Sequence, residues 1–184
     1  MNVIDTMQTI VVDPQEIGKQ IKKGFKSSGY YWLLLLMAIC TYYAHGIPFH
    51  FGRTIGIMFS LTLVIAVEAL FLLWALRWFL KNEWIKYAQL FGLVVLYHYI
   101  FIFFDLFFLV VPALGGYLNL ARYIRNASVI GSIFLSSLNL VACVYVYSLS
   151  KAFSELTRIT FKNALICCII VYLSMSYVMA LFIR

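Results

Sequence analysis

Apolar residues in this chain run together instead of alternating with polar ones. Five runs are long enough to cross ~30 Å of hydrocarbon, which takes about 20 helical residues: roughly 29–47, 54–80, 88–114, 129–150 and 162–183. In lipid every backbone polar group needs an internal partner, so a spanning segment is a helix or a strand of a closed barrel, and uninterrupted runs are helical. The fold class expected is all-α, a polytopic transmembrane helix bundle of five spans over residues 29–184. A short interfacial amphipathic helix is expected to precede it, within a cytoplasmic segment of residues 1–28.

Asp13-Pro14-Gln15-Glu16 reads as the start of that helix, with Asp13 as N-cap, Pro14 in the first helical position and Glu16 completing a capping-box pattern. Ile17, Ile21 and Phe25 then share one face, while Lys19, Lys22, Lys23 and Lys26 lie largely elsewhere. Such a helix is expected to lie on the inner leaflet with its lysines at the membrane surface. The connections Lys81–Tyr87 and Lys151–Phe161 are short, which leaves no soluble domain to carry a catalytic apparatus. The stretch from Gly115 to Ala127 is longer and mixes apolar with basic residues.

Composition narrows the class further. An apolar fraction of 64% against 11% charged, with a mean hydropathy of +0.95, leaves too little polar surface for a water-soluble globule. The net charge of +7 raises nucleic acid as a partner. The basic residues, however, sit at the ends of the apolar runs, so they are read as topology-setting flanks that meet anionic lipid. The lipid bilayer is the expected partner, and nucleic acid is not. With the N-terminus in the cytoplasm, Lys19, Lys22, Lys23, Lys26, Arg77, Lys81, Lys86, Lys151, Arg158 and Lys162 face inward, whereas only Arg53, Arg122, Arg125 and Arg184 face outward. The opposite orientation inverts this bias, so a cytoplasmic N-terminus and an external C-terminus are expected. The first 28 residues lack an apolar core, and no cleavable signal peptide is expected. Trp32, Trp74, Trp78 and Trp84 fall near one membrane face, as in an interfacial aromatic belt.

An ionisable group in hydrocarbon is costly and is therefore a functional candidate. Glu68 in the second run, Asp105 in the third and Asn139 in the fourth all come out near mid-membrane. His98 lies two helical turns before Asp105 on the same face, so Glu68, Asp105, Asn139 and His98 are expected to form an intramembrane polar cluster. Three readings stand for it: a proton or cation relay, the floor of a polar ligand cavity, or a set of hydrogen bonds that holds helices together. Ser128, Ser132, Ser136, Asn139 and Cys143 recur at three- and four-residue spacing and are read as a helix-packing stripe. The four cysteines have no metal-ligand spacing and are read as small core residues, and no HExxH, phosphate loop or nucleophile elbow is present. No catalytic residue, cofactor or metal is expected, and the chain is not read as an enzyme.

The order of features also resembles a known family. It comprises the Asp13-Pro14 helix, a second span running into Leu80-Lys81-Asn82-Glu83-Trp84, a third span carrying Pro112, and two closing spans joined through Ser148-Leu149-Ser150-Lys151-Ala152-Phe153. This layout resembles the Yip family, five-span membrane proteins named for interaction with Rab-type GTPases. The long polar N-terminal region of the eukaryotic members is lacking, so the likeness is to the prokaryotic relatives. It implies a non-enzymatic scaffold or accessory subunit of a larger assembly in a bacterial inner membrane, partnered by other membrane proteins or further copies of itself. The alternative is a small proton- or cation-coupled carrier that uses the intramembrane acids. The basic asymmetry has a direct consequence. A cysteine introduced at position 20 or 155 is expected to be shielded from a membrane-impermeant reagent in intact cells and one at position 120 to react, and labelling at position 20 would overturn the orientation.

Overall fold

The computed structural model describes residues 3–24, 28–78, 84–110 and 139–182. Its regular elements are helices: α1 (Val3–Val12), α2 (Pro14–Lys22), α3 (Ser28–Ala44), α4 (Phe51–Trp78), α5 (Tyr87–Val110), α6 (Leu140–Thr157) and α7 (Phe161–Phe182). Three of them, α4, α5 and α7, are long and apolar enough to cross a membrane.

The bundle is organised around α5. Every residue from Gly92 to Ile100 is buried, so this helix is covered on all sides over that stretch. Helices α3, α4 and α6 pack along it, and α2 adds a further contact. By contrast α4 buries one stripe, Ile65, Glu68, Ala69, Leu72 and Leu76, at helical spacing, and exposes Ile55, Phe59, Leu63, Leu70, Trp74 and Trp78. A helix with a single buried stripe and an apolar outer face suits a bilayer and not water. Between α3 and α4 the chain turns at Gly46, whose φ of 80° is accessible because it has no Cβ, and Pro48 follows. The hydroxyl of Tyr43 clasps this turn, donating to His50 O at 3.0 Å and lying 2.7 Å from Thr54 Oγ1.

The fourth apolar run is described from Asn139 onward, and its helix continues past the expected end at 150. Its described helix begins at Leu140, because Asn139 is extended (φ −126°, ψ 172°) and its side chain accepts from Ala142 N at 2.8 Å. A short amide side chain competes for backbone donors in this way, and it makes Asn139 a helix cap. The remainder of that run, with Ser132, Ser136, Pro112 and the 115–127 stretch, lies outside the described residues. At the other end Lys151, expected in a loop, is inside α6. Its Nζ lies 5.5 Å from the Tyr147 ring centroid and 5.1 Å from that of Phe161, while Ala152, Phe153 and Leu156 extend the buried face. The helix stops at Arg158, which takes a left-handed conformation (φ 58°), and Thr160 caps α7 through its hydroxyl, 3.4 Å from Asn163 N.

The N-terminal segment holds the largest departure. Residues 3–12 form α1, which the sequence analysis did not anticipate, with Thr6 and Ile10 buried four residues apart. Asp13 N still donates to Thr9 O at 2.9 Å, so the chain passes through Asp13 directly into α2, and Pro14, which has no N–H, breaks the ladder there. The capping box does not form: the Asp13 side chain makes no cap bond, and Glu16 Oε1 instead lies 3.4 Å from Gln20 Nε2. The apolar face of α2 was expected to meet lipid, but Ile17 and Ile21 are 1% and 3% exposed, and the helix packs chiefly on α6. Gly18 permits that approach, since a Cβ there would run into the Ala152 carbonyl oxygen. Tyr97 on α5 also donates its hydroxyl to Pro14 O at 3.3 Å. The protein thus takes up the apolar surface that a leaflet would otherwise receive, while Lys19, Lys22 and Lys23 stay exposed; Phe25 and Lys26 fall outside the described residues.

Replacing Gly18 with valine is therefore expected to force α2 off α6 and lower stability by about 1–3 kcal/mol, read as a fall in the thermal midpoint in detergent. An unchanged midpoint would show that this contact carries no weight in the fold.

Candidate functional site

The residues with the most chemistry inside the bundle are one side chain from each of three helices. Glu68 lies in the buried stripe of α4, His98 in the enclosed stretch of α5, and Tyr145 in the second turn of α6. Tyr145 Oη donates to Glu68 Oε1 at 2.6 Å, and the second carboxyl oxygen, Oε2, faces His98 Nε2 at 3.7 Å. All three are buried, at 5%, 8% and 0% exposure.

The histidine tautomer follows from its other neighbour. Nδ1 is 2.9 Å from Val94 O, and a carbonyl oxygen only accepts, so Nδ1 carries a hydrogen. With that hydrogen fixed on Nδ1, Nε2 faces Oε2 at 3.7 Å, beyond direct hydrogen-bond range, while the Tyr145 hydroxyl bonds the opposite carboxyl oxygen. Aromatic rings close the site. Tyr145 meets His98 edge-on with centroids 5.5 Å apart, Phe101 lies 4.6 Å from Tyr145, and Tyr172 on α7 lies 5.9 Å away. Side chains from four helices converge here. Among the described residues no buried side-chain nitrogen or oxygen lacks a hydrogen-bond partner, as is required where water is excluded.

The expected four-residue cluster is divided in the fold. Glu68 and His98 come together, but Asp105 does not point into the same centre: it is exposed, and its Oδ2 lies 3.7 Å from Nε2 of His45 at the end of α3. Asp105 and His98 do share a face of α5, yet burial along α5 falls away after Ile102, so that face is enclosed only in its lower part. Asn139 caps α6. Cys143 is exposed on α6, as Cys40 is on α3, so neither is the small core residue expected, whereas Cys167 and Cys168 are buried. The small residue that does admit a neighbour on α6 is Ala152, opposite Gly18. Among the described residues no three His, Cys, Asp or Glu side chains converge to hold a metal ion.

Tyr145 was missed by the sequence reading. With 13 tyrosines in the chain, nothing in its local pattern separates it from the rest; only the packing of α6 against α4 selects it. Comparison with protein-family models, with curated proteins and with solved structures finds no match to this chain. The fold defines the class as an all-helical protein with three helices able to span a membrane.

The site has a graded mutational signature. A Glu68→Gln variant keeps a carbonyl to accept from Tyr145 and gains an amide donor for His98 Nε2, so it is expected to fold with little loss. Glu68→Leu strands both partners and is expected to cost about 1–3 kcal/mol, and Tyr145→Phe about 1 kcal/mol. Thermal unfolding in detergent reads the order, and an amide variant as damaged as the leucine variant would show that the carboxyl group is required in a form the amide does not mimic.

Proposed function

We propose that this chain is a five-span integral membrane protein that works by lateral association, as a non-enzymatic scaffold or accessory subunit of a larger assembly in a bacterial inner membrane. The carrying observation is the distribution of polar and apolar groups. The interior polar centre is enclosed and its hydrogen bonds are made internally, while α4 and α7 turn large apolar side chains outward, including Phe59, Trp74, Ile166 and Ile170. In lipid such faces are available to other helices.

Under this reading α3 and α6 are the remaining two spans. The 17 residues of α3 extend about 26 Å, short of the full hydrocarbon thickness by a margin that local thinning accommodates. All four tryptophans are exposed, as members of an interfacial belt would be, and the basic residues favour a cytoplasmic N-terminus. The layout shared with Yip-type proteins agrees with this role, although the proposal does not depend on it.

A second reading, a small proton-coupled carrier, is favoured by the contact between Glu68 and His98, because a carboxyl group facing an imidazole in an enclosed site is what such a carrier would use. The two readings separate in one set of measurements. For a scaffold, protein extracted in mild detergent is expected to run at a mass well above the single chain of 21.2 kDa, together with identifiable membrane partners, and Glu68→Gln should not alter that. A clean monomer without partners would refute the scaffold. A Glu68→Gln variant that folds and associates normally but abolishes a measurable proton flux in vesicles would replace it with the carrier.

A further inference from the structure

Outside the polar centre, the outer surfaces of α4 and α7 enclose a shallow apolar groove of about 290 Å³. Phe71, Trp74 and Ala75 form one wall, and Ile166, Ile170 and Val171 form the other. Trp74, Ile166 and Ile170 are about half exposed, so the groove is open at the surface. Its apolar walls suit a hydrocarbon chain.

Charge lies at one end of it. Arg77 is one turn beyond Trp74 on α4, and Lys162 is one turn before Ile166 on α7; both are exposed, and neither has a carboxylate within ion-pair distance among the described residues. The topology puts them at the same end of the bundle. Helix α4 leads into the N-terminal end of α5. Glu68 of α4 and Tyr172 of α7 both approach Tyr145, and residues that follow Glu68, Phe71, Trp74 and Ala75, share the groove with residues that precede Tyr172, Asn163, Ile166, Cys167 and Ile170, so α7 runs antiparallel to α4 and begins where α4 ends. The spacing agrees as well. Arg77 is nine residues past Glu68, and Lys162 is ten residues before Tyr172, which is about 14 and 15 Å of helical rise from the level of the buried centre. With that centre near the bilayer midplane, both cations reach the boundary of a ~30 Å hydrocarbon layer, where lipid headgroups begin. Trp74 and Trp78, exposed with ring centroids 5.9 Å apart, sit at that end as interfacial aromatics do.

We propose that the groove between α4 and α7 is a binding site for a membrane phospholipid with an anionic headgroup, the headgroup held by Arg77 and Lys162 and one acyl chain lying along Phe71, Ile166 and Ile170. The inference rests on α4 and α7 being membrane spans. Two cations at the hydrocarbon boundary complement a phosphodiester that carries net negative charge, and a zwitterionic headgroup would bring its own cation against them. In the membrane the groove would thus take a particular lipid class in preference to the bulk.

The test uses the full chain in mild detergent, titrated with phosphatidylglycerol or phosphatidylcholine and read by native mass spectrometry. Preferential retention of phosphatidylglycerol is expected, with a Arg77→Gln/Lys162→Gln double variant losing that preference by up to about 30-fold while keeping its helical circular dichroism. Ile170→Trp, which fills the groove and leaves the cations in place, is expected to lower phosphatidylglycerol retention as well; unchanged retention would overturn the placement of the chain in the groove. Equal retention of the two lipids by a protein that requires detergent would overturn the lipid site and leave the membrane reading intact, whereas a protein that stays monodisperse without detergent would overturn the membrane reading itself. A dimer cross-linked through a cysteine at position 170 would make the groove an interface between two copies and would also overturn the proposal.

Discussion

The hydrogen bond from Tyr145 to Glu68, with His98 against the other carboxyl oxygen, sets the register of three helices that apolar contacts alone would leave unspecified. In a bilayer, leucine against leucine is little better than leucine against an acyl chain, so hydrophobic burial does not choose between one alignment and the next. A carboxyl group does choose. Sliding α4 one turn, about 5.4 Å, along α5 would take Glu68 out of reach of both partners and leave three polar side chains without water in hydrocarbon. The aromatic rings of Phe101 and Tyr172 then pack around an alignment already determined by the polar contact.

The N-terminal segment depends on the same alignment. Helix α2 lies chiefly on α6, and its first carbonyl is held by Tyr97, the neighbour of His98 on α5. Gly18 opposite Ala152 brings the two backbones close enough for Ile17 and Ile21 to be covered completely. Hence α2 is a component of the bundle whose lysines remain outside it. The outer faces of α4 and α7 are among the exposed apolar surfaces of the described residues, and both the scaffold reading and the lipid site are located there.

Helical class and the positions of α3, α4, α5 and α7 were legible in the chain because long apolar runs have one solution in lipid, with element starts read to within about three residues. Glu68 and His98 were legible for a related reason, since an ionisable group in such a run is costly wherever its helix packs. Helix α1 was in principle readable from the spacing of Thr6 and Ile10, but its ten residues are too short for a run-length criterion to register.

The partners of those groups were not readable. Asp105 and His98 are equivalent by helical periodicity, and Ile17 and Ile21 form the same stripe whether lipid or protein covers it. Their separation into exposed and buried, with Asp105 beside His45 and Ile17 against α6, came only from which helix covers which length of α5 and α6. The same holds for Asn139, where an amide inside an apolar run is compatible with a continuous helix and with a cap, and backbone geometry decided for the cap. Sequence by itself determined that this protein is helical, which segments suit lipid and which side chains are costly there, because those depend on local composition against one solvent. Tertiary structure alone decided that Tyr145 completes the polar centre and that α2 turns inward, because both depend on contacts between residues 77 and more than 130 positions apart, for which no local pattern carries a signal.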